Sequence, residues 1–137
     1  MDTESIRIKM GEKVLVVCGS RGIDRLLAFK TFDYFAASRG VGDIGLLIHG
    51  DSGNVDKTLA QAWPDLDGLC ISKAYPADWD KYGRAAGPIR NEQMAKDADV
   101  CFALWDGESR GTLDMIKRAD GYGLELYVYV VGEGERV

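Results

Sequence analysis

The chain has little of several things. It holds three cysteines, three prolines and a single histidine in 137 residues, no long hydrophobic run and no basic excess. The cysteines (Cys18, Cys70, Cys101) are odd in number, widely spaced and set in or beside apolar runs, which excludes a disulfide framework and a CxxC metal site and points to a reducing compartment. No apolar stretch approaches the ~18 residues that span a bilayer. The opening Met1-Asp2-Thr3-Glu4 lacks the basic and apolar regions of a signal peptide, so a cytoplasmic protein with no membrane partner is expected. With Lys+Arg 17 against Asp+Glu 22 the net charge is −5, so nucleic acid is not the expected partner.

Glycine, by contrast, is abundant: 17 residues, where average usage would give roughly ten. The glycines follow no period and 46% of the residues are apolar, which excludes collagen-like and disordered chains and leaves one globular domain over 1–137. Met1–Glu12 and Gly132–Val137 read as terminal extensions.

Short β-branched runs alternate with longer segments of helical pattern. The runs are Lys13–Cys18, Ile44–His49, Leu69–Tyr75, Asp99–Leu104 and Glu125–Val131. Four are nearly continuous apolar stretches, as expected of parallel strands covered on both faces; the third is weaker and suits an edge. Helices are expected over Ile23–Arg39, Val55–Trp63, Pro88–Ala98 and Thr112–Gly121. The first has a broad apolar face of Leu26, Leu27, Phe29, Phe32, Tyr34 and Phe35, Pro88 suits a first turn, and Gly40, Gly68 and Gly121 are placed as C-terminal caps. The alternation predicts an α/β fold, a doubly wound parallel five-stranded sheet flanked by helices.

In such a sheet ligands bind beyond the carboxyl ends of the strands. Three of the four loops there are Gly/Ser segments running into a helix: Gly19-Ser20-Arg21-Gly22, Gly50-Asp51-Ser52-Gly53-Asn54, and Trp105 to Thr112 with Gly107, Arg110 and Gly111. Small residues let backbone N–H groups approach an anion, and the helix N-terminus adds partial positive charge. Arg21, Arg84, Arg90 and Arg110 suit a phosphate or carboxylate gripped bidentately. Trp105 sits where a planar base could stack, while Trp79 reads as filler between loop and sheet. No cofactor is obligatory. Asp51, Asp56, Asp106 and Glu108 could hold Mg²⁺ beside a diphosphate, although solvation and helix capping are the commoner roles of such acids.

Several enzyme readings fail on spacing. Gly19-x-x-Gly22 is not the GxGxxG of dinucleotide enzymes, and Asp24 stands where a Cys-x5-Arg phosphatase loop would need arginine. Gly50-Asp51-Ser52-Gly53-Asn54 comes near a nucleophile elbow, but His49 precedes it, leaving no later base. His49 reads instead as packing or capping the end of the second strand.

Taken in order, Val17-Cys18-Gly19-Ser20-Arg21, His49-Gly50-Asp51 to Val55-Asp56, Tyr75-Pro76-Ala77-Asp78-Trp79 running on to Ala86-Gly87-Pro88-Ile89-Arg90-Asn91, and Ala103-Leu104-Trp105-Asp106-Gly107 to Arg110-Gly111-Thr112 resemble the YspA-like group of the SLOG superfamily. The resemblance covers most of Val14 to Val131. It implies a Rossmann-like sheet of strand order 3-2-1-4-5 that binds a nucleotide or nucleotide derivative. It also implies distant kinship with DprA and with the LOG phosphoribohydrolases, and a tendency to homodimerise. Arg90-Asn91-Glu92-Gln93-Met94 resembles the LOG Arg-Lys-x-x-Met motif, and Gly107 to Thr112 a stretched form of its Pro-Gly-Gly-x-Gly-Thr-x-x-Glu. The glutamate position is Met115, and a thioether cannot assist glycosidic cleavage. Asp114, one residue away, is turned by about 100° and expected off the site. Asn54, at a glycine of the group's second loop, suits a left-handed residue.

The expectation is therefore a sensor or sequestering module whose ligand contacts are Gly19, Ser20, Arg21, Gly50, Asp51, Ser52, Gly53, Arg84, Arg90, Trp105, Gly107, Arg110, Gly111 and Thr112. The alternative is an N-glycosidase acting on a nucleoside monophosphate or an ADP-ribose-type compound, with Arg90, Glu108 and Asp114 as catalytic candidates.

Overall fold

A computed structural model describes residues 12–67 and 71–132. Five strands, β1 (Lys13–Gly19), β2 (Ile44–His49), β3 (Ile71–Ala74), β4 (Val100–Trp105) and β5 (Glu125–Val130), pair in parallel in the order β3-β2-β1-β4-β5. The helices are α1 (Arg25–Arg39), α2 (Gly53–Asp67), a single turn α3 (Trp79–Tyr82), α4 (Ala86–Asp97) and α5 (Arg110–Gly121); a 3-10 turn, Gly83–Ala85, joins α3 to α4. This is the expected Rossmann-like α/β sheet, with β1 in its middle. Val16 of β1 lies across from Ile48 of β2 on one side and Cys101 of β4 on the other.

The period-two alternation of strands divides the core into two unlike layers. Leu15 and Val17 face α1 and α2, where Phe32, Phe35, Trp63 and Phe102 pack edge-on or tilted at centroid separations of 5.2–6.0 Å. Val14, Val16 and Cys18 face α4 and α5, across a layer of Met94, Ala95, Cys101, Ala103, Met115 and Ala119. A large apolar side chain buried in either layer is worth roughly 1.5–3 kcal/mol of transfer free energy, and the first layer holds the bulkier aromatic ones.

Local chemistry sets the element ends and corrects several expectations. Helix α1 starts at Arg25 because Asp24 accepts the N–H groups of Leu26 and Leu27, and it stops at Gly40, φ 81°. Only Ala28, Phe32 and Phe35 of α1 are fully buried, while Leu26, Phe29 and Tyr34 are exposed; the aromatic run is too broad for one helical face. The left-handed glycine after α5 is Gly123 rather than Gly121. Asn54 is helical, and the left-handed non-glycine residue is Asp51, φ 54°. β5 was expected to be covered on both faces, but it is an edge strand on which Val128 and Val130 are exposed. Cys70, Gly68 and the start of the third run lie outside the described residues. No described helix is long and apolar enough to cross a membrane.

Candidate functional site

The strand order reverses between β1 and β4, and their carboxyl ends open into a cleft of about 580 Å³. Its floor is Cys18, Met94 and Met115, the outer end of the small-residue layer. Gly19 and Arg21 contribute from the β1 loop, Gly50, Ser52 and Asp56 from the β2 loop and α2, Trp79, Gly87 and Arg90 from the α3–α4 segment, and Ser109 to Thr112 from the entry of α5. A second hollow of about 380 Å³ shares Arg21, Gly50, Ser52, Trp79 and Arg90 and adds Asp51, Gly53 and Pro76. Among the expected contacts, Gly19, Arg21, Gly50, Asp51, Ser52, Gly53, Arg90, Arg110, Gly111 and Thr112 are thus brought together.

Two glycines have a steric reason to be there. A Cβ on Gly19 would fall 2.6 Å from Val55 Cβ, so the end of β1 can pass beneath α2 only without a side chain. A Cβ on Gly50 would fall 2.8 Å from Arg90 Cζ. The Arg90 guanidinium occupies that space: Nη1 donates to Gly50 O at 2.7 Å and to Tyr75 O at 3.4 Å, and Nε donates to Asn91 Oδ1 at 3.0 Å. Arg90 therefore ties α4 to the ends of β2 and β3. Burial, and the like charge of Arg21, push its pKa down, partly offset by Asp56.

The β2 loop is not an open cradle. Its amides have acceptors within the chain: Asp56 Oδ2 takes the N–H groups of Gly50 at 3.1 Å and Ser52 at 3.2 Å, and His49 Nδ1 takes that of Asp51 at 3.0 Å. This fixes His49 as a cap at the strand end, and burial lowers its pKa, which keeps the acceptor nitrogen free of a proton. Asp56 is 3% exposed, and burial pushes its carboxyl up to about 7 despite those two bonds and Arg90. Asn54 Nδ2 donates to Ile23 O, so its side chain links the first two loops.

Ser20 is likewise structural. It is 1% exposed, its N–H donates to Leu104 O, and its hydroxyl accepts the Asp106 N–H at 3.0 Å. Asp106 Oδ1 accepts from Glu108 and Ser109 N–H, and Ser109 caps α5 by accepting from Thr112 N–H. Trp105 points its indole N–H at Ser109 O and does not line the cleft; Arg84, Gly107 and Glu108 are exposed and do not line it either. The aromatic wall is Trp79, whose Cη2 lies 3.3 Å from where a Gly87 Cβ would be. Trp79 was read as filler because nothing in the sequence places the one-turn α3 at the mouth of the sheet.

Asp114 corrects the helical-wheel expectation. It lines the cleft beside Met115, so α5 shows two adjacent residues to it. Its Oδ2 accepts from Asn91 Nδ2 and Arg118 Nε, both at 2.9 Å, and Arg118 Nη1 continues to Glu92 Oε1 at 2.8 Å. Among the described residues no three His, Cys, Asp or Glu side chains form a metal-holding group.

The cleft thus combines cationic and carboxylate groups on a partly apolar floor, an arrangement able to hold a small polar anion with an aromatic or apolar moiety. No family model and no solved structure matches the chain. The Gene 61 protein of Mycobacterium phage D29 is 30% identical over 86 residues, which span 59% of this chain and 68% of the phage protein. On that extent of identity, the chain belongs to the same family as this phage Gene 61 protein.

Proposed function

We propose that the cleft binds a small nucleotide or nucleotide derivative and that the protein acts as a sensor or sequestering module. The observation that carries this reading is a set of arginines without carboxylate partners. Arg21 and Arg110 line the cleft and make no ion pair among the described residues, and Arg21 is close enough to Arg90 to disfavour its charge. Unneutralised guanidinium groups converging on a cleft at the switch point suit a phosphate. Trp79, Pro88, Met94 and Met115 offer the apolar surface that a base would cover. The resemblance to the YspA-like group of the SLOG superfamily points the same way. Thermal-shift measurements with AMP, ADP-ribose, NAD, cyclic nucleotides and cytokinin monophosphates should yield at least one stabilising ligand, and Arg110→Ala should abolish its shift. No shift across that panel would overturn the reading.

A hydrolytic role is favoured by one observation, the position of Asp114 in the cleft. Water added across an N-glycosidic bond would release free base and ribose phosphate, and Asp114→Asn would stop their appearance. Ligand recovered intact after incubation would exclude it. Exposed Leu26, Phe29 and Tyr34 on α1 suit a homodimer, which light scattering would detect.

A further inference from the structure

We propose that Asp56 gates anion binding in this cleft by proton exchange: the site admits a phosphate-type anion as Asp56 takes up one proton, and excludes it when Asp56 is ionised. The proposal rests on the anion-binding reading above and adds what regulates that site.

The geometry begins with a competition for donors. In Gly/Ser loops between a strand and a helix, a bound anion takes the loop's N–H groups. Here the N–H groups of Gly50 and Ser52 are held by the Asp56 carboxylate, at 3.1 and 3.2 Å, in the wall of the same cleft. Asp56 therefore occupies from within the chain the donors that an external anion would use. Its ionised form also opposes such an anion by charge, in a wall where Asp56 is 3% exposed and screening by water is weak.

The surroundings decide which way the proton moves. Arg90 on α4 is the cation that faces Asp56, and no ion pair joins the two among the described residues. Asp51, in the same loop, opposes the ionised form; Cys18 at the end of β1 is a buried thiol whose pKa is pushed well up; Arg21 acts on Arg90 from the β1 loop. An anion drawn to Arg21 and Arg90 weakens the attraction that Arg90 exerts on Asp56, so binding favours the protonated carboxyl. Protonation in turn loosens the hold on the Gly50 and Ser52 amides. Because burial sets Asp56 to titrate near 7, ordinary changes of pH would move this equilibrium. His49, lowered by burial below its usual 6.5, is uncharged above that pH and does not contribute there.

Sulfate is the suitable probe, since it stays a dianion throughout the range. Isothermal titration calorimetry of sulfate from pH 6.5 to 8.5, in two buffers of different ionisation enthalpy, counts the protons exchanged. The wild-type affinity should fall about tenfold per pH unit above 7, with uptake of up to one proton on binding. Asp56→Asn should bind sulfate without pH dependence, at least as tightly as the wild type at pH 6.5. Wild-type binding that is constant over the range, or a pH dependence unchanged in Asp56→Asn, would overturn the gate and leave anion binding standing. Absence of sulfate binding in both proteins at every pH would overturn the gate together with the reading it rests on. Should Asp56→Asn fail to fold, the wild-type slope and proton count decide alone.

Discussion

The two ends of the sheet both gather charges of either sign and treat them in opposite ways. At the amino end Arg39, only 11% exposed, bridges Asp43 at 2.9 Å and Glu125, and Lys13 reaches both acids at 3.8 and 3.7 Å. Three groups there are shifted toward their charged forms: the Arg39 guanidinium upward, Asp43 downward, and Glu125 down to about 2 by hydrogen bonds from Arg39 and from the Tyr127 hydroxyl. At the carboxyl end Arg90 is shifted down and Asp56 up, both by burial, so each is shifted toward its neutral form. The Arg39 network satisfies its charges within the chain; Arg90 and Asp56 hold theirs at a cost to stability that a ligand could relieve. That contrast supports the proposal that a ligand binds at the β1–β4 switch point.

The sharpest way to break this contrast is Asp56→Asn. A carboxyl raised from 3.8 to about 7 by folding makes the native state bind the extra proton between those values, so stability falls as pH rises from about 4 to 7. That span corresponds to about 4 kcal/mol, and urea unfolding should show Asp56→Asn gaining up to that amount at pH 8 and little at pH 4. Next in size, Gly19→Ala drives a methyl group into Val55 where β1 passes under α2; a loss of about 1–3 kcal/mol is expected in the same assay. At the opposite end Arg39→Met should cost about 1–2 kcal/mol near pH 7, discounted because both acids are over a third exposed. Glu125 is depressed from 4.5 to about 2 in the folded state, so its contribution is present above 4.5 and lost as pH falls through 2. Arg39→Met should therefore move acid unfolding to higher pH. The smallest effect on stability, within about 0.5 kcal/mol, belongs to Arg21→Ala, because that side chain has no ion pair among the described residues. The same substitution should weaken sulfate binding at least tenfold by calorimetry.

Much of this architecture was legible in the sequence because it depends on local signals. Continuous apolar runs mark buried parallel strands, and loops of Gly, Ser and Arg mark the carboxyl end of the sheet. What escaped depends on tertiary position. The spacing of Asp56 six residues after Gly50 does not say that its carboxylate turns back onto that loop, nor that burial follows. Ser20 has the look of a phosphate contact, yet its hydroxyl is used to join the β1 and β4 loops. A turn of about 100° per residue does not take Asp114 off the site, since both it and Met115 line the cleft. Trp79 lines the cleft and Trp105 does not, and the one-turn α3 that carries Trp79 leaves no periodicity to read.

The cleft at the carboxyl ends of β1, β2 and β4 is the proposed ligand site. Amide chemical-shift mapping of the ¹⁵N-labelled protein, titrated with AMP and with ADP-ribose at pH 6.5, tests it most directly. At least one of the two should produce saturable shifts concentrated at Gly19–Arg21, Gly50–Gly53, Trp79–Arg90 and Arg110–Thr112, with the Arg39–Asp43–Glu125 end unmoved. Saturable shifts confined to that opposite end, or no shifts with either nucleotide, would contradict it.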